Sequence, residues 1–146
     1  MFLELLEQWL EGVDTQLEAA RVEGTTVAEE LLRMTGMIQR VFQEAGGKLP
    51  IFLEFLTKAE QSPIVWQATV VPFRKYHEFF ARRVQAGIAE SSLRPADPEM
   101  AAHVLLSFAV GLLALGMLDP QGADWGQVAQ AGMKMLLQGL EKKDQE

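Results

Sequence analysis

AAHVLLSFAVGLLALGML, from Ala101 to Leu118, carries no formal charge, and His103 and Ser107 are its only polar side chains. A helix that is apolar on every face must be covered on more than one side. Three environments meet this requirement: a membrane span, the centre of a core, or a position between the core of one subunit and a second subunit. The segment has the minimum length to cross a bilayer and no flanking basic cluster to orient it. The sequence therefore favours the third environment.

The helices around this segment are predicted from periodic apolar positions and local start signals. Thr26 and Glu29 form a capping box, and Ser62 and Asp97 each cap a helix that starts with proline. Pro72 lies inside one apolar stripe that keeps its phase, so we expect a kink just before it rather than two helices. The result is an all-α chain of six helices, at residues 2–20, 26–45, 50–60, 63–90, 97–118 and 124–141.

Composition excludes several classes of protein. The 146 residues are enough for one domain with a real core, and the absence of cysteine excludes disulfides and thiolate metal sites. A net charge of −7 with scattered basic residues is unfavourable for nucleic-acid binding. Glu4, Glu7 and Glu11 interrupt the first apolar residues, so no signal peptide is predicted. We expect a soluble, cytoplasmic protein that does not bind membranes.

Catalytic motifs are weak. His77-Glu78 begins like a zinc-protease helix, but Ala81 stands where the second histidine is required. His103 and Ser107 are one turn apart, yet a helical serine ordinarily bonds back to the preceding turn, and no nucleophile elbow is present. We therefore predict no enzyme activity, no catalytic residue, no metal site and no cofactor.

Methionine and aromatic residues are concentrated in the middle helices. Such residues ordinarily fill a core, and the periodicity alone favours that interpretation over a ligand cavity. The cavity stays open as an alternative because methionine adapts to varied shapes and Gln39, Gln67, Tyr76 and His77 add polar groups. The concentrated residues are Met34, Met37, Phe42, Phe52, Phe55, Trp66, Phe73, Tyr76, Phe79, Phe80 and Phe108.

Three stretches carry a resemblance to a known family. Residues 87–118, GIAESSLRPADPEMAAHVLLSFAVGLLALGML, combine a helix end, a Leu-Arg-Pro turn, an Asp-Pro-Glu start and a long apolar helix with an interior glycine. Trp125 with residues 136–140, LLQGL, and residues 1–6, MFLELL, continue the pattern. The chain resembles the C-terminal regulatory domain of TetR-family transcriptional repressors over essentially its whole length. The resemblance implies that residues 1–146 form one regulatory domain whose N-terminal helix-turn-helix is absent here, so that DNA is bound only through that missing part.

The resemblance also implies a homodimer. In such proteins the last two helices pair with those of a second subunit in a four-helix bundle, which would cover the second side of the apolar helix. The face toward the partner is defined to within one position. The expected contacts are Ala101, Leu105, Phe108, Leu112, Val128, Leu136 and Leu140.

The methionine and aromatic side chains of the middle helices predict that the effector is a small apolar or aromatic molecule. We expect a cavity of several hundred cubic ångströms between the helices at 26–45, 50–60 and 63–90. Its predicted walls are Met34, Met37, Ile38, Phe55, Trp66, Val70, Phe73 and Phe108, with Tyr76, His77 and His103 as polar contacts. The alternative function is a structural dimerisation module with a filled core and no effector.

Overall fold

A computed structural model of the chain describes residues 2–37, 40, 54 and 57–140. Five helices have defined bounds within these residues: α1 (Phe2–Ala19), α2 (Val27–Met34), α3 (Pro63–Ala89), α4 (Pro98–Leu118) and α5 (Trp125–Leu140). Residues 54 and 57–59 are also helical, inside the helix predicted at 50–60. No strand occurs in the described ranges, so the all-α prediction is confirmed there.

The predicted start signals act as helix caps. Thr26 Oγ1 accepts a hydrogen bond from the Glu29 amide at 3.1 Å, and the Glu29 carboxylate accepts from the Thr26 amide at 3.2 Å. Asp97 Oδ1 accepts from the Glu99 amide at 3.0 Å, and Ser62 Oγ accepts from a first-turn amide at 3.5 Å. These bonds satisfy amides that have no partner inside their own helix, which defines where α2, α3 and α4 begin.

The helix α3 runs without a break through Pro72. One long helix, rather than two, is therefore confirmed, and the kink stays a prediction. The buried Thr69 satisfies its hydroxyl within the helix by donating to the Val65 carbonyl at 2.8 Å. With 27 residues, α3 is about 40 Å long, and it packs against α4 more extensively than any other pair of helices with defined bounds.

The end of α2 differs from the prediction. The sequence predicts one helix over 26–45, but α2 ends at Met34, a turn follows, and helical conformation resumes at Met37. Thr35 Oγ1 donates to the Leu32 carbonyl at 2.6 Å, and the Gly36 amide bonds to the Arg33 carbonyl at 3.1 Å, three residues back. A hydroxyl that competes for helix carbonyls, followed by glycine, explains the early end.

The turn between α3 and α4 depends on a close contact. Ser91 has a φ of 66°, and the amides of Ser92 and Leu93 both bond to the Gly87 carbonyl, at 3.0 and 3.1 Å. Leu93 then packs onto Gly87 and is 1% exposed. A Cβ atom at Gly87 would lie 2.5 Å from Leu93 Cδ1, so the contact requires glycine at this position.

A buried ion pair joins α2 to α3. The Glu30 side chain is buried, and Arg83 donates to its two oxygens at 2.8 and 3.0 Å. Arg21 adds a longer contact at 3.9 Å. Two-point pairing of this kind compensates for the removal of the carboxylate from water.

A second polar contact ties the start of α2 to the end of α3. Glu90 Oε1 accepts from the Val27 amide at 2.6 Å and from the Ser92 hydroxyl at 2.8 Å. The hydrogen bond from Val27 lowers the pKa of Glu90, and the bond from Ser92 lowers it further. The carboxylate therefore lies at the positive end of the α2 dipole in its charged form.

The helix α4 contributes one side to the core. Ala102, Leu105, Leu112 and Gly116, which we call the inner stripe, recur at three- and four-residue spacing and are all buried. Ala102 and Leu105 belong to a core cluster that also draws residues from α1, α2, α3 and α5. The inner stripe is thus the side of α4 that the rest of the subunit covers.

Candidate functional site

A cavity of about 110 Å³ lies where all five helices meet. Val13 and Leu17 of α1, Met34 of α2 and Met133 of α5 line it, together with residues of α3 and α4. Its other walls are apolar except at Thr35 and Tyr76. The Thr35 hydroxyl is already bonded to a backbone carbonyl, so it offers little to a guest. The cavity therefore favours an apolar occupant over water.

The structure brings together part of the predicted ligand site. Five of the predicted residues line the cavity: Met34, Met37, Phe73, Tyr76 and Phe108. Val70 is half-buried but does not line it, and Trp66 is 44% exposed with Arg74 over its ring at 5.6 Å. The predictions for Ile38 and Phe55 fall outside the described residues.

The two histidines lie away from the cavity, contrary to their predicted place among its polar contacts. Their rings stack on each other with centroids 3.9 Å apart, between α3 and the first turns of α4. His77 Nε2 also lies 3.1 Å from the Glu99 carbonyl, and His103 is exposed. The reason is the side of the helix on which His77 lies. That side of α3 meets the start of α4, and this contact lies outside the cavity.

Several cavity residues were not predicted. They are contributed by α1, α4 and α5 and, at Phe80, by α3, because the cavity lies at the junction of all five helices rather than among the middle ones. The only available signal was the regular apolar spacing of α1 and α5, which any core helix also shows. The main additions are Val13, Leu17, Phe80, Leu105, Leu106, Leu112, Ala129 and Met133.

A second, larger depression of about 490 Å³ lies between α1 and α3, and we call it the cleft. It is lined by Glu7, Leu10, Glu11 and Asp14 from α1 and by Gln67, Ala68, Val71, Pro72, Lys75 and Tyr76 from α3. Its character is mixed: the α1 wall carries three carboxylates and Leu10, and the α3 wall combines apolar side chains with Gln67 and Lys75. The cleft is therefore chemically unlike the cavity.

Tyr76 is the one described residue that lines both the cavity and the cleft. Its hydroxyl donates to the Leu10 carbonyl of α1 at 3.4 Å, a long hydrogen bond. Burial raises the pKa of the Tyr76 phenol, and the nearby charge of Asp14 raises it further. The phenol therefore stays protonated and acts as a donor at neutral pH.

The side of α4 opposite the inner stripe is exposed and apolar. Met100, Val104, Leu115 and Leu118, which we call the outer stripe, are between 44% and 71% exposed. On α5, Val128 and Met135 are exposed as well. By length and composition α4 is the one described helix that could cross a membrane, although core helices of soluble proteins pass the same test. The outer stripe is therefore an apolar surface that the described part of the subunit leaves uncovered.

Some of the predicted dimer contacts are exposed or half-buried, and others are buried inside the subunit. Val128 is exposed, and Ala101, Phe108, Leu136 and Leu140 are half-buried. Leu105 and Leu112 are 2% and 5% exposed in the single chain, so neither has surface left for a partner. Their assignment to an interface is corrected: they pack inside the subunit, and the nearest exposed apolar residues are Val104, one position from Leu105, and Leu115, three positions from Leu112.

Metal ligands do not cluster in the described part of the chain: no group of three or more His, Cys, Asp or Glu residues could hold an ion there. The side-chain nitrogen and oxygen atoms that are fully buried in that part all have hydrogen-bond partners. The cavity, the cleft and the outer stripe are therefore the features that require a functional explanation.

The fold is similar to that of solved bacterial proteins. A bacterial regulatory protein in the tetR family from Rhodococcus RHA1 matches with a TM-score of 0.75 and 15% identity, over 98% of this chain and 74% of that chain. A protein of unknown function from Rhodococcus sp. RHA1 matches with a TM-score of 0.70 and 20% identity, over 97% of this chain and 73% of the other. No protein-family model and no curated protein matches the sequence. At these identities the similarity establishes a fold like that of a TetR-family regulator.

Proposed function

We propose that this chain is the effector-sensing and homodimerisation domain of a bacterial, cytoplasmic transcriptional regulator. The similarity to a regulatory protein of the tetR family supports a regulatory role. Part of that neighbour has no counterpart in the matched region, which leaves room for a separate DNA-binding segment. In this proposal a helix-turn-helix outside residues 1–146 binds DNA, because a net charge of −7 repels phosphate.

The observation that carries the sensing function is the apolar cavity at the junction of the five helices. Val13 and Leu17 of α1 contact it from one side, and Phe73 and Tyr76 of α3 from another. A guest in the cavity would favour one arrangement of α1 against α3 over another, to the extent that it binds the two with different affinity. In the proposed full-length protein, α1 passes that change to the DNA-binding segment.

Dimerisation in this proposal uses the outer stripe of α4 with Val128 and Met135 of α5. A second copy related by a two-fold axis would bury the same residues on both subunits, as a four-helix bundle requires. An interface that covers these two helices would bury roughly 2,000 Å² in total, the range of permanent dimers. This assignment replaces Leu105 and Leu112 with residues that are exposed in the single chain.

The size of the cavity supports the alternative function, a dimerisation module without an effector. Pockets for drug-sized ligands span about 300–1,000 Å³. At about 110 Å³ the cavity is smaller and resembles a packing defect of the core. Ligand binding separates the two functions.

The test is a thermal-shift screen of small apolar and aromatic compounds on three proteins: the wild type, Ala109→Leu and Trp66→Ala. Ala109 is half-buried and lines the cavity, so leucine there would fill it, whereas Trp66 lies outside. Sensing predicts compounds that raise the Tm of the wild type and of Trp66→Ala by several degrees but not that of Ala109→Leu. If no compound raises the wild-type Tm, the dimerisation module is the correct function.

A further inference from the structure

The cleft lies directly beside the cavity, and Tyr76 forms part of the wall between them. The cavity alone is smaller than the roughly 300–1,000 Å³ of pockets that hold drug-sized ligands. An apolar cavity of roughly 150 Å³ holds one benzene molecule, so about 110 Å³ holds a short alkyl group. At about 490 Å³ the cleft has the volume of an ordinary ligand site. A guest anchored in the cavity would therefore extend its remaining atoms into the cleft.

The cleft has a definite charge preference. Glu7, Glu11 and Asp14 line it from successive turns of one face of α1, and Lys75 is the one cationic residue among its lining. Neither Glu7 nor Glu11 forms an ion pair of 4.0 Å or less with any residue in the described ranges. Carboxylates outnumber the lysine, so the cleft repels anions and attracts cations.

The opposite wall suits the organic part of such a cation. Ala68, Val71 and Pro72 of α3 supply apolar contacts, and Tyr76 lines the same cleft with an aromatic side chain. Organic ammonium groups are attracted both by aromatic rings and by nearby carboxylates. A metal cation, by contrast, would gain nothing from the apolar wall.

We propose that the cleft binds the cationic head of a small amphipathic molecule whose apolar end occupies the cavity, with Tyr76 between the two parts. The effector class is then an alkyl ammonium compound rather than a neutral aromatic one. This inference rests on the proposed sensing function, which concerns the apolar end of the ligand. It adds that the head group of the ligand is positively charged. It also accounts for an apolar cavity and an acidic cleft that share one tyrosine in their linings.

The experiment compares three six-carbon probes by isothermal titration calorimetry: hexyltrimethylammonium, hexan-1-ol and hexyl sulfate. The alkyl chain is the same, so differences in affinity report the head group. We expect the ammonium compound to bind roughly fivefold to tenfold more tightly than the alcohol, since each exposed charge contact adds a modest amount and the ring adds a similar one. Hexyl sulfate should bind more weakly than the alcohol.

The matched variants are Glu7→Gln/Glu11→Gln, which neutralises the cleft, and Glu23→Gln, which removes an exposed charge from the loop after α1. The double variant should lose most of the preference for the ammonium compound and keep its affinity for hexan-1-ol, which also shows that it is folded. The Glu23 variant should behave as the wild type. Equal binding of cation and alcohol by the wild type overturns this inference and leaves the sensing function intact. If none of the probes binds, the inference fails, and the thermal-shift screen of other compounds decides the sensing function.

Discussion

The inner and outer stripes of α4 are similar in composition and opposite in environment. Leu105 on the inner stripe is 2% exposed, and Leu115 on the outer stripe is 53% exposed. Neither stripe carries a charge, so hydrophobicity alone does not explain which one faces the core. The inner stripe is defined by packing against α3 and α5, while the outer stripe has no partner within the described chain. An apolar side chain thus indicates that a surface must be buried, but only the packing of the helices shows whether the subunit itself buries it.

The largest expected effect comes from truncating leucine on each stripe. Leu105→Ala should lower the free energy of unfolding by about 3 kcal/mol, because a buried side chain is lost and a cavity remains. Leu115→Ala should cost far less per subunit, and its cost should depend on protein concentration if a second copy covers it. Urea denaturation at two protein concentrations measures both. A cost for Leu115→Ala that equals that of Leu105→Ala at every concentration would contradict the distinction between the stripes.

Two glycines sharpen the same comparison. A Cβ atom at Gly132 of α5 would overlap the Phe108 ring, whereas one at Gly111 of α4 would meet nothing within 4 Å. Gly132→Ala should therefore destabilise the subunit by about 1–2 kcal/mol through overpacking. Gly111→Ala should stabilise the isolated subunit by about 0.5–1 kcal/mol through helix propensity.

Thermal unfolding at low protein concentration checks the pair of glycines. Opposite signs of the two shifts in Tm are the expected result. Equal destabilisation by both alanines would mean that the subunit itself covers the side of α4 that carries Gly111.

The sequence predicts the helices well because caps and prolines act locally. Thr26, Asp97 and Pro98 each satisfy or remove an amide within one turn, whatever packs around them. The end of α2 was missed because the hydroxyl of Thr35 and the glycine beside it looked like ordinary positions inside a periodic stripe. The sequence therefore predicted the start or end of a helix correctly only where such a local signal was recognised.

The functional residues were harder to predict because they depend on the angles between helices. The apolar helix α4 has no polar side that would indicate which of its sides faces the core. The predicted dimer contacts Leu105 and Leu112 therefore fell on the inner stripe. His77 shares α3 with true cavity residues, yet it meets His103 at the start of α4 instead. Phe73 and Tyr76, which were predicted as ligand contacts, line the cavity, and the contribution of α1 to that cavity follows only from the packed structure.

The smallest expected effect concerns a contact away from both stripes, between Glu90 and the start of α2. The pKa of Glu90 is lower in the folded chain than its ordinary value of 4.5, so the unfolded chain binds the proton more readily. The resulting stability is present above pH 4.5 and is lost as the pH falls through the folded pKa. Because Glu90 is exposed, its contribution is screened and should stay below about 1 kcal/mol.

Urea midpoints of the wild type and Glu90→Gln at pH 7 and pH 3 test this contact. The wild type should be the more stable protein at pH 7, and the difference should shrink at pH 3. A difference that is the same at both pH values would show that the charge of Glu90 does not contribute.

The central claim is that a second copy of this chain covers the outer stripe. Sedimentation velocity on the wild type, Leu115→Glu and Val22→Glu tests it most directly, because Val22 is as exposed as Leu115 but lies outside α4 and α5. The wild type and Val22→Glu should sediment as dimers at micromolar concentration. Leu115→Glu should be a monomer with unchanged helical circular dichroism, since a buried unpaired charge weakens the dimer by more than about 100-fold. A dimer that persists in Leu115→Glu, or a monomeric wild type, would contradict the account.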